Sequence, residues 1–116
     1  MQRFFRTAAG SEPVRDWLKT LSKGVRQVIG ADLTNVQEFW PESNTLPLVG
    51  SFGGGLYEVR SSHDTNIYRV LFCFVGGEML LLHGFHKKSQ KTPTADLDLA
   101  RERQKLVKQP KATREK

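Results

Sequence analysis

Two segments near the N-terminus repeat hydrophobic residues at the spacing of an amphipathic helix. The first spans residues 13–22, begins with a proline, and is expected to take Ser11 as its cap. The second spans residues 25–40 and ends where a proline interrupts the pattern. Lys23 and Gly24 are expected to break the chain between them. The pattern therefore predicts a pair of helices.

Short apolar runs of strand-forming residues predict a sheet. Residues 2–6 can form a first strand, and residues 41–55, rich in Pro, Gly, Ser and Asn, are predicted to be a loop. A Gly-Gly pair at 76–77 is typical of a tight hairpin turn, and a weaker helical pattern follows Pro93. The remaining predicted strands span residues 56–61, 67–75 and 78–85.

This order of elements indicates an α+β domain. We predict an antiparallel sheet with the two-helix hairpin on one face, an uncovered second face, and a C-terminal helix. The length of 116 residues suits one domain. We place that domain at residues 1–108 and expect residues 109–116 to form a basic, disordered tail.

Strand alternation predicts which side chains share a face of the sheet. Glu58 and Arg60 lie on one face of their strand, opposite the apolar residues at 57 and 59. Arg69 lies opposite the apolar row of residues 70, 72 and 74. In the last strand, the alternation groups His83 with residues 85 and 87, and His86 with residues 82 and 84. Two arginines are therefore expected on the uncovered face.

The net charge of +6 is concentrated at the C-terminal end. Residues 1–86 carry eight Lys/Arg and eight Asp/Glu, whereas residues 87–116 carry ten and four. This segment suits contact with nucleic-acid phosphates. A solvated helix followed by a frayed tail explains the charge equally well.

Several classes of site are excluded by what the sequence lacks. No apolar run is long enough to span a membrane, so we expect a cytoplasmic protein without membrane contact. Cys73 lies within an apolar run and is expected to be buried. Three glycines at 53–55 favour a backbone turn, because no helix start or lysine follows them to form a phosphate loop. The histidines lack zinc-site spacing, and we expect neither a metal nor a cofactor.

Basic residues on neighbouring strands suit chemistry on a phosphodiester. Metal-free RNA cleavage needs a base for the ribose 2′-hydroxyl, cations for the phosphorane oxygens and an acid for the leaving 5′-oxygen. Arginine suits the second role, because its planar fork stays charged and offers phosphate two donors. Alternatively, Glu58 pairs with Arg60 or Arg69 and the arginines are ordinary ion-pair members. The candidate donors are Arg60, Arg69, His86, Lys87, Lys88 and Lys91.

Four stretches of the chain resemble the HigB branch of the RelE/ParE toxin superfamily. They span residues 55–60, 68–72, 84–93 and 100–103, and read GLYEVR, YRVLF, GFHKKSQKTP and ARER. The resemblance covers nearly the whole chain, to about Lys108, and the third stretch is its most specific part. It implies a RelE-like fold and the toxin of a type II system. Such a toxin is a ribosome-dependent endoribonuclease, which inhibits translation by cutting translated mRNA and leaves a cyclic phosphate and a 5′-hydroxyl.

The resemblance also implies partners. These are the ribosome with its mRNA, and a HigA-like helix-turn-helix antitoxin that neutralises the toxin. The complex of the two proteins is expected to bind operator DNA through the antitoxin.

Site residues follow from the same resemblance. Arg69 matches the strand arginine that binds the scissile phosphate, Arg60 matches a second strand arginine, and Lys87 and Lys88 match the basic cluster after the last strand. Further candidate RNA-binding residues are Lys91, Gln90, Tyr57, Tyr68, Arg101 and Arg103. For the two tyrosines, stacking on bases and packing in the core are equally favoured.

The general base is the least defined part of the expected site. RelE carries two lysines on the strand that corresponds to residues 56–58, where this chain has Leu56 and Glu58. His86 is the candidate, because histidine exchanges protons near neutral pH. It is equally suited to binding phosphate or the antitoxin, Glu58 could instead orient Arg60, and His83 is expected to be structural.

Two other functions fit the same fold, because a shared fold does not fix function. One is a ParE-like inhibitor of DNA gyrase, and the other is an inactive RNA-binding scaffold. The lysine cluster beside the strand arginines favours the nuclease.

Overall fold

The computed structural model describes residues 2–86 and 91–108. The expected helices and strands are all present, with one further short strand. The strands are β1 (Gln2–Phe4), β2 (Val49–Ser51), β3 (Tyr57–His63), β4 (Asn66–Val75) and β5 (Glu78–His86), and the helices are α1 (Pro13–Lys19), α2 (Lys23–Glu38) and α3 (Thr94–Lys108).

The five strands form one sheet in the order β1-β5-β4-β3-β2. The pairs β2–β3, β3–β4 and β4–β5 are antiparallel, but β1 pairs parallel with β5. The sheet is therefore mixed and not wholly antiparallel as predicted. The additional strand β2 lies within the predicted loop and forms an edge beside β3. Gly76 and Gly77 both have positive φ, which confirms the tight hairpin turn between β4 and β5.

Helices α1 and α2 cover one face of the sheet, because each presents an apolar stripe to it. Val14 of α1 and Ile29 and Leu33 of α2 are buried against Val70 and Phe72 of β4. We call this side of the sheet the hairpin face.

The predicted helix starts require correction. The N-cap of α1 is Glu12, without a side-chain capping bond, and Ser11 instead bonds with the Thr7 hydroxyl at 2.9 Å. Lys23 and Gly24 are not a break but the first turn of α2, because the Ser22 hydroxyl accepts the Val25 backbone N–H at 3.3 Å.

The second face of the sheet is not uncovered, because α3 packs on it. Ala100 of α3 is buried with Leu56, Leu71 and Leu82 in a second apolar core. We call this side the α3 face. Apolar burial by α3 is limited, and hydrogen bonds fasten much of the helix to its neighbours.

The glycine-rich turn before β3 provides one set of these bonds. Gly53, Gly54 and Gly55 all have positive φ, a conformation that favours glycine. The turn directs carbonyls towards α3, where Arg101 donates to Gly53 and the Gln104 amide donates to Gly54 at 2.8 Å. The run of glycines therefore forms a turn that holds α3.

A β-bulge changes the predicted alternation of β5. The register shifts between Leu71 and Phe72, so both Leu82 and His83 face the α3 side. Gly84 and His86 then lie on the hairpin face, opposite Val70 and Tyr68. The predicted grouping of residue 82 with residues 84 and 86 is therefore wrong. Among the helices described, none is long and apolar enough to cross a lipid bilayer.

Candidate phosphate-binding site

Two arginines and a glutamate meet on the α3 face where β3 and β4 pair. The register places Arg60 directly opposite Arg69, and Glu58 lies two residues from Arg60 on the same face. One Glu58 oxygen, Oε2, accepts from Arg60 Nη1 at 3.0 Å and from Arg69 Nη1 at 3.2 Å. The predicted pairing of Glu58 with the strand arginines is thus confirmed, and one carboxylate serves both.

Thr92 completes this group from the segment before α3. Its hydroxyl donates to the other Glu58 oxygen, Oε1, at 2.5 Å and accepts from Arg69 Nη1 at 3.2 Å. We call Glu58, Arg60, Arg69 and Thr92 the Glu58 cluster. It joins two strands of the sheet to the chain just before α3.

The two arginines differ in exposure. The Arg69 side chain is 2% exposed and that of Glu58 is also 2% exposed, whereas the Arg60 side chain is 34% exposed. The expectation that both arginines are exposed is therefore wrong for Arg69, because α3 and the chain before it cover this face of the sheet. Arg60 is the arginine of the pair that solvent reaches.

A glycine on the edge strand makes room for Arg60. Gly50 of β2 pairs with Glu58, and a Cβ atom at Gly50 would lie 2.8 Å from Arg60 Nη1. The other terminal nitrogen of Arg60 donates to the Pro47 carbonyl at 2.6 Å. The Arg60 guanidinium therefore lies over Gly50 of β2, and both of its terminal nitrogens donate hydrogen bonds.

His86 and the two tyrosines lie on the hairpin face, away from the arginines. The His86 ring stacks on Tyr68 with centroids 4.7 Å apart, and its Nε2 lies 3.0 Å from the Asn66 side-chain oxygen. Tyr57 stacks on Phe72 within the apolar core, and Tyr68 is 8% exposed. Core packing thus accounts for both tyrosines, and the structure does not bring His86 to the Glu58 cluster.

Arg101 and Arg103 are both engaged in holding α3. Arg101 donates to the Phe52 carbonyl at 2.6 Å. Arg103 donates to the Leu82 carbonyl at the β5 bulge at 2.8 Å, and its guanidinium lies over the Phe5 ring. Burial lowers the pKa of Arg103 from its ordinary value. These contacts tie the two predicted RNA-binding residues to the fold.

The remaining predicted site residues fall in or beside one segment. Lys91 is exposed and precedes Thr92 directly. Lys87, Lys88 and Gln90 lie outside the described residues. The described residues that flank these positions are His86 and Lys91.

Other titratable groups have structural surroundings. His83 Nε2 lies 2.7 Å from Asp96 at the start of α3, which confirms the structural role expected for this histidine. Cys73 is buried as expected, and desolvation raises the pKa of its thiol. Within residues 2–86 and 91–108, no three His, Cys, Asp or Glu residues come together as metal ligands would.

Sequence reasoning did not identify Thr92. It contacts Glu58 and Arg69 across 34 and 23 residues of chain, a proximity that no local pattern encodes. Thr92 lies within the stretch at residues 84–93, the most specific part of the resemblance, but the lysines of that stretch were chosen as the candidate site residues.

An α+β domain with this order of elements and a strand-arginine pair is the architecture expected of a RelE-like toxin. Residues 16–105 match the family described as "Phage derived protein Gp49-like", and the chain belongs to that family. It is also 29% identical, over 106 residues, to proteins named "Probable endoribonuclease HigB1" in two strains of Mycobacterium tuberculosis, CDC 1551 / Oshkosh and ATCC 25618 / H37Rv. The alignment covers 91% of this chain and 83% of each relative. The resemblance to HigB-like toxins of the RelE/ParE superfamily is thereby confirmed.

Proposed function

We propose that this protein is the toxin of a type II toxin-antitoxin system, and that it inhibits translation as a ribosome-dependent, metal-independent mRNA endoribonuclease. The observation that carries the proposal is the Glu58 cluster, in which Arg60 and Arg69 stand opposite each other. The endoribonuclease name of the mycobacterial relatives supports the same reaction.

The charges of the cluster suit a scissile phosphate. Arg60 and Arg69 carry two positive charges and Glu58 offsets one, so the group keeps a net attraction for an anion. Arg60, at the more exposed position, binds a phosphate oxygen, and buried Arg69 strengthens the positive potential beneath it. Charge that develops on the phosphorane oxygens is stabilised by donors already in place.

In the proposed reaction, the ribose 2′-oxygen attacks the adjacent phosphorus as its proton passes to a base. The bond from phosphorus to the 5′-oxygen breaks, and an acid protonates that oxygen, which leaves a 2′,3′-cyclic phosphate and a 5′-hydroxyl. No external oxidant, reductant or metal enters this balance.

The base is sought between the end of β5 and Lys91, which directly precedes Thr92 of the cluster. His86, the last residue of β5, stays a candidate, although in the free protein its ring stacks on Tyr68 on the hairpin face. Lys87 and Lys88 are the alternatives for proton transfer, and Lys91 and Gln90 complete the proposed RNA contacts.

The proposed partners are the ribosome with its mRNA and a HigA-like helix-turn-helix antitoxin, through which the complex binds operator DNA. Inspection of the adjacent genes, followed by co-expression with a small helix-turn-helix protein encoded there, tests this part. We expect restored growth and co-purification of the two proteins. Growth inhibition that persists in the presence of that protein would contradict the pairing.

Cleavage itself is tested with purified translation components. Purified protein is added to ribosomes on a defined mRNA, and the new 5′ ends are mapped. We expect cuts within translated codons that are absent when ribosomes are omitted. Arg60→Met should abolish the cuts, whereas Arg15→Met, which removes an exposed arginine of α1 paired with Glu12, should leave them unchanged.

The outcomes separate the competing functions. Cuts in mRNA without ribosomes would refute ribosome dependence but would support the endoribonuclease activity. Inhibition of DNA gyrase without any RNA cleavage would replace the proposal with the ParE-like function. Inactivity in both assays, with RNA still bound, would identify a scaffold protein.

A further inference from the structure

The Thr92 hydroxyl is a junction between the sheet and the segment that leads into α3. A threonine hydroxyl donates one hydrogen bond and accepts up to two. At Thr92, the donated bond goes to Glu58 Oε1 and an accepted bond comes from Arg69 Nη1. The hydroxyl therefore contacts both the carboxylate and the guanidinium of a buried ion pair.

The position of Thr92 in the chain gives this contact a second consequence. Lys91 precedes it, and Pro93 follows it immediately before α3. Consecutive Cα atoms are about 3.8 Å apart, so fixing Thr92 also fixes the backbone of Lys91 beside the arginines. The proline restricts the backbone of Thr92 and limits how it can reorient.

Resting on the function proposed above, we infer that Thr92 is a positioning residue for the reaction. Its hydroxyl sets the direction of the Arg69 guanidinium and holds the segment carrying Lys91 against the Glu58 cluster. The arginines of the sheet and Lys91 are then held ready for one phosphate.

Thr92→Val is the informative substitution, because valine keeps the shape of threonine and removes the hydroxyl. Glu58 then loses the donor at Oε1, and Arg69 loses an acceptor at Nη1. Attraction of RNA by Arg60 and Lys91 is retained. Alignment of donors in the transition state is impaired, so we expect kcat to fall at least about tenfold and KM to change less than about threefold.

Two matched variants test whether the effect comes from the hydroxyl itself and from its position at residue 92. Thr92→Ser keeps the hydroxyl and should restore most of the lost kcat. Thr34→Val makes the same chemical change at an exposed site on α2, where the hydroxyl accepts a surface bond from Gln2, and should leave kcat unchanged. Equal loss in Thr92→Val and Thr92→Ser would overturn the assignment.

A second measurement tests the positioning without catalysis. Rotation of the Arg69 guanidinium about its Nε–Cζ bond is followed by ¹⁵N NMR in the free protein. We expect slow rotation in the wild type and Thr92→Ser, and at least about tenfold faster rotation in Thr92→Val. Equal rates in all three would refute the inference even if cleavage changed.

The NMR arm also keeps the two proposals distinguishable. If the wild type cleaves no mRNA, the proposed function fails, while the rotation rates still decide whether Thr92 orients Arg69. If Thr92→Val does not fold, the contact of the Thr92 hydroxyl is tested on the wild-type protein by hydrogen exchange. A Thr92 hydroxyl proton that exchanges slowly with water supports the contact, and one that exchanges at the rate of a surface threonine overturns it.

Discussion

Arg60 and Arg69 lie directly opposite each other on β3 and β4, and both donate to the same oxygen of Glu58. Like charges at directly opposed positions of a sheet repel. The buried carboxylate between them makes their close approach possible. Glu58 is therefore the group on which both the stability and the charge of the candidate site depend.

Replacement of Glu58 by glutamine should strongly destabilise the protein. Glutamine preserves the size of the side chain but removes the negative charge that contacts the buried Arg69, and loss of one partner of a buried pair costs about 3–5 kcal/mol. We expect the free energy of unfolding in urea to fall by about 3 kcal/mol.

Glu78→Gln is the matched control for this prediction. Glu78 pairs with Arg3 at 2.9 Å, but the side chains are 41% and 65% exposed. Exposed pairs contribute little, so stability should change by less than about 1 kcal/mol. Equal losses in the two variants would show that Glu58 has no special role in stability.

The two arginines should give different phenotypes when each is replaced by methionine. Arg69→Met removes a buried charge and should lower both stability, by about 2–3 kcal/mol, and RNA cleavage. Arg60→Met removes a group one-third exposed, so stability should fall by less than about 1 kcal/mol while cleavage is lost.

Urea unfolding and mRNA cleavage measured on the same preparations test this difference. Arg60→Met protein that retains full cleavage activity would exclude Arg60 from phosphate binding. Arg69→Met protein as stable as the wild type would contradict the structural part of its role.

Much of the fold could be predicted because each main element carries its own local signal. The apolar stripe of α2 and the glycine pair between β4 and β5 depend only on neighbouring residues. The parallel pairing of β1, the covering of the second face by α3 and the bulge at Leu82 depend on distant contacts. α3 in particular buries few apolar residues, so its own pattern did not reveal the surface on which it packs.

The candidate site was predictable to a similar extent. Strand alternation correctly placed Glu58, Arg60 and Arg69 on one face. It did not reveal that Arg69 is buried, because its contact with Thr92 joins residues 23 positions apart in the chain. His86 was grouped with the arginines by chemical type, but the register of β4 and β5 places it on the opposite face.

Gly50→Ala should displace Arg60 without unfolding the protein. The new Cβ would lie 2.8 Å from Arg60 Nη1, at the far end of a flexible side chain that is able to move away. We expect a loss of cleavage of at least about tenfold, with stability lowered by less than about 1 kcal/mol. Unchanged cleavage would show that the position of Arg60 across β2 is not required.

Gly30→Ala is a control with the opposite expected effect on stability. Gly30 is exposed within α2, and nothing lies within 4 Å of where its Cβ would be. Alanine is favoured over glycine inside helices by about 0.5–1 kcal/mol, so the thermal midpoint should rise while cleavage is unchanged. A lower thermal midpoint would contradict the exposed helical placement of this residue.

The contact between Gly84 and Trp17 predicts a large effect from one added methyl group. A Cβ atom at Gly84 would lie 2.5 Å from Trp17 Cε3 and Cζ3, atoms of a ring packed between α1 and β5. The ring must shift, so Gly84→Ala should lower the free energy of unfolding by about 1–3 kcal/mol. A double-mutant cycle with Trp17→Leu tests the cause, because a smaller side chain leaves room for the methyl group. Gly84→Ala should then cost at least about 1 kcal/mol less in the Trp17→Leu background, and an equal cost in both backgrounds would locate the strain elsewhere.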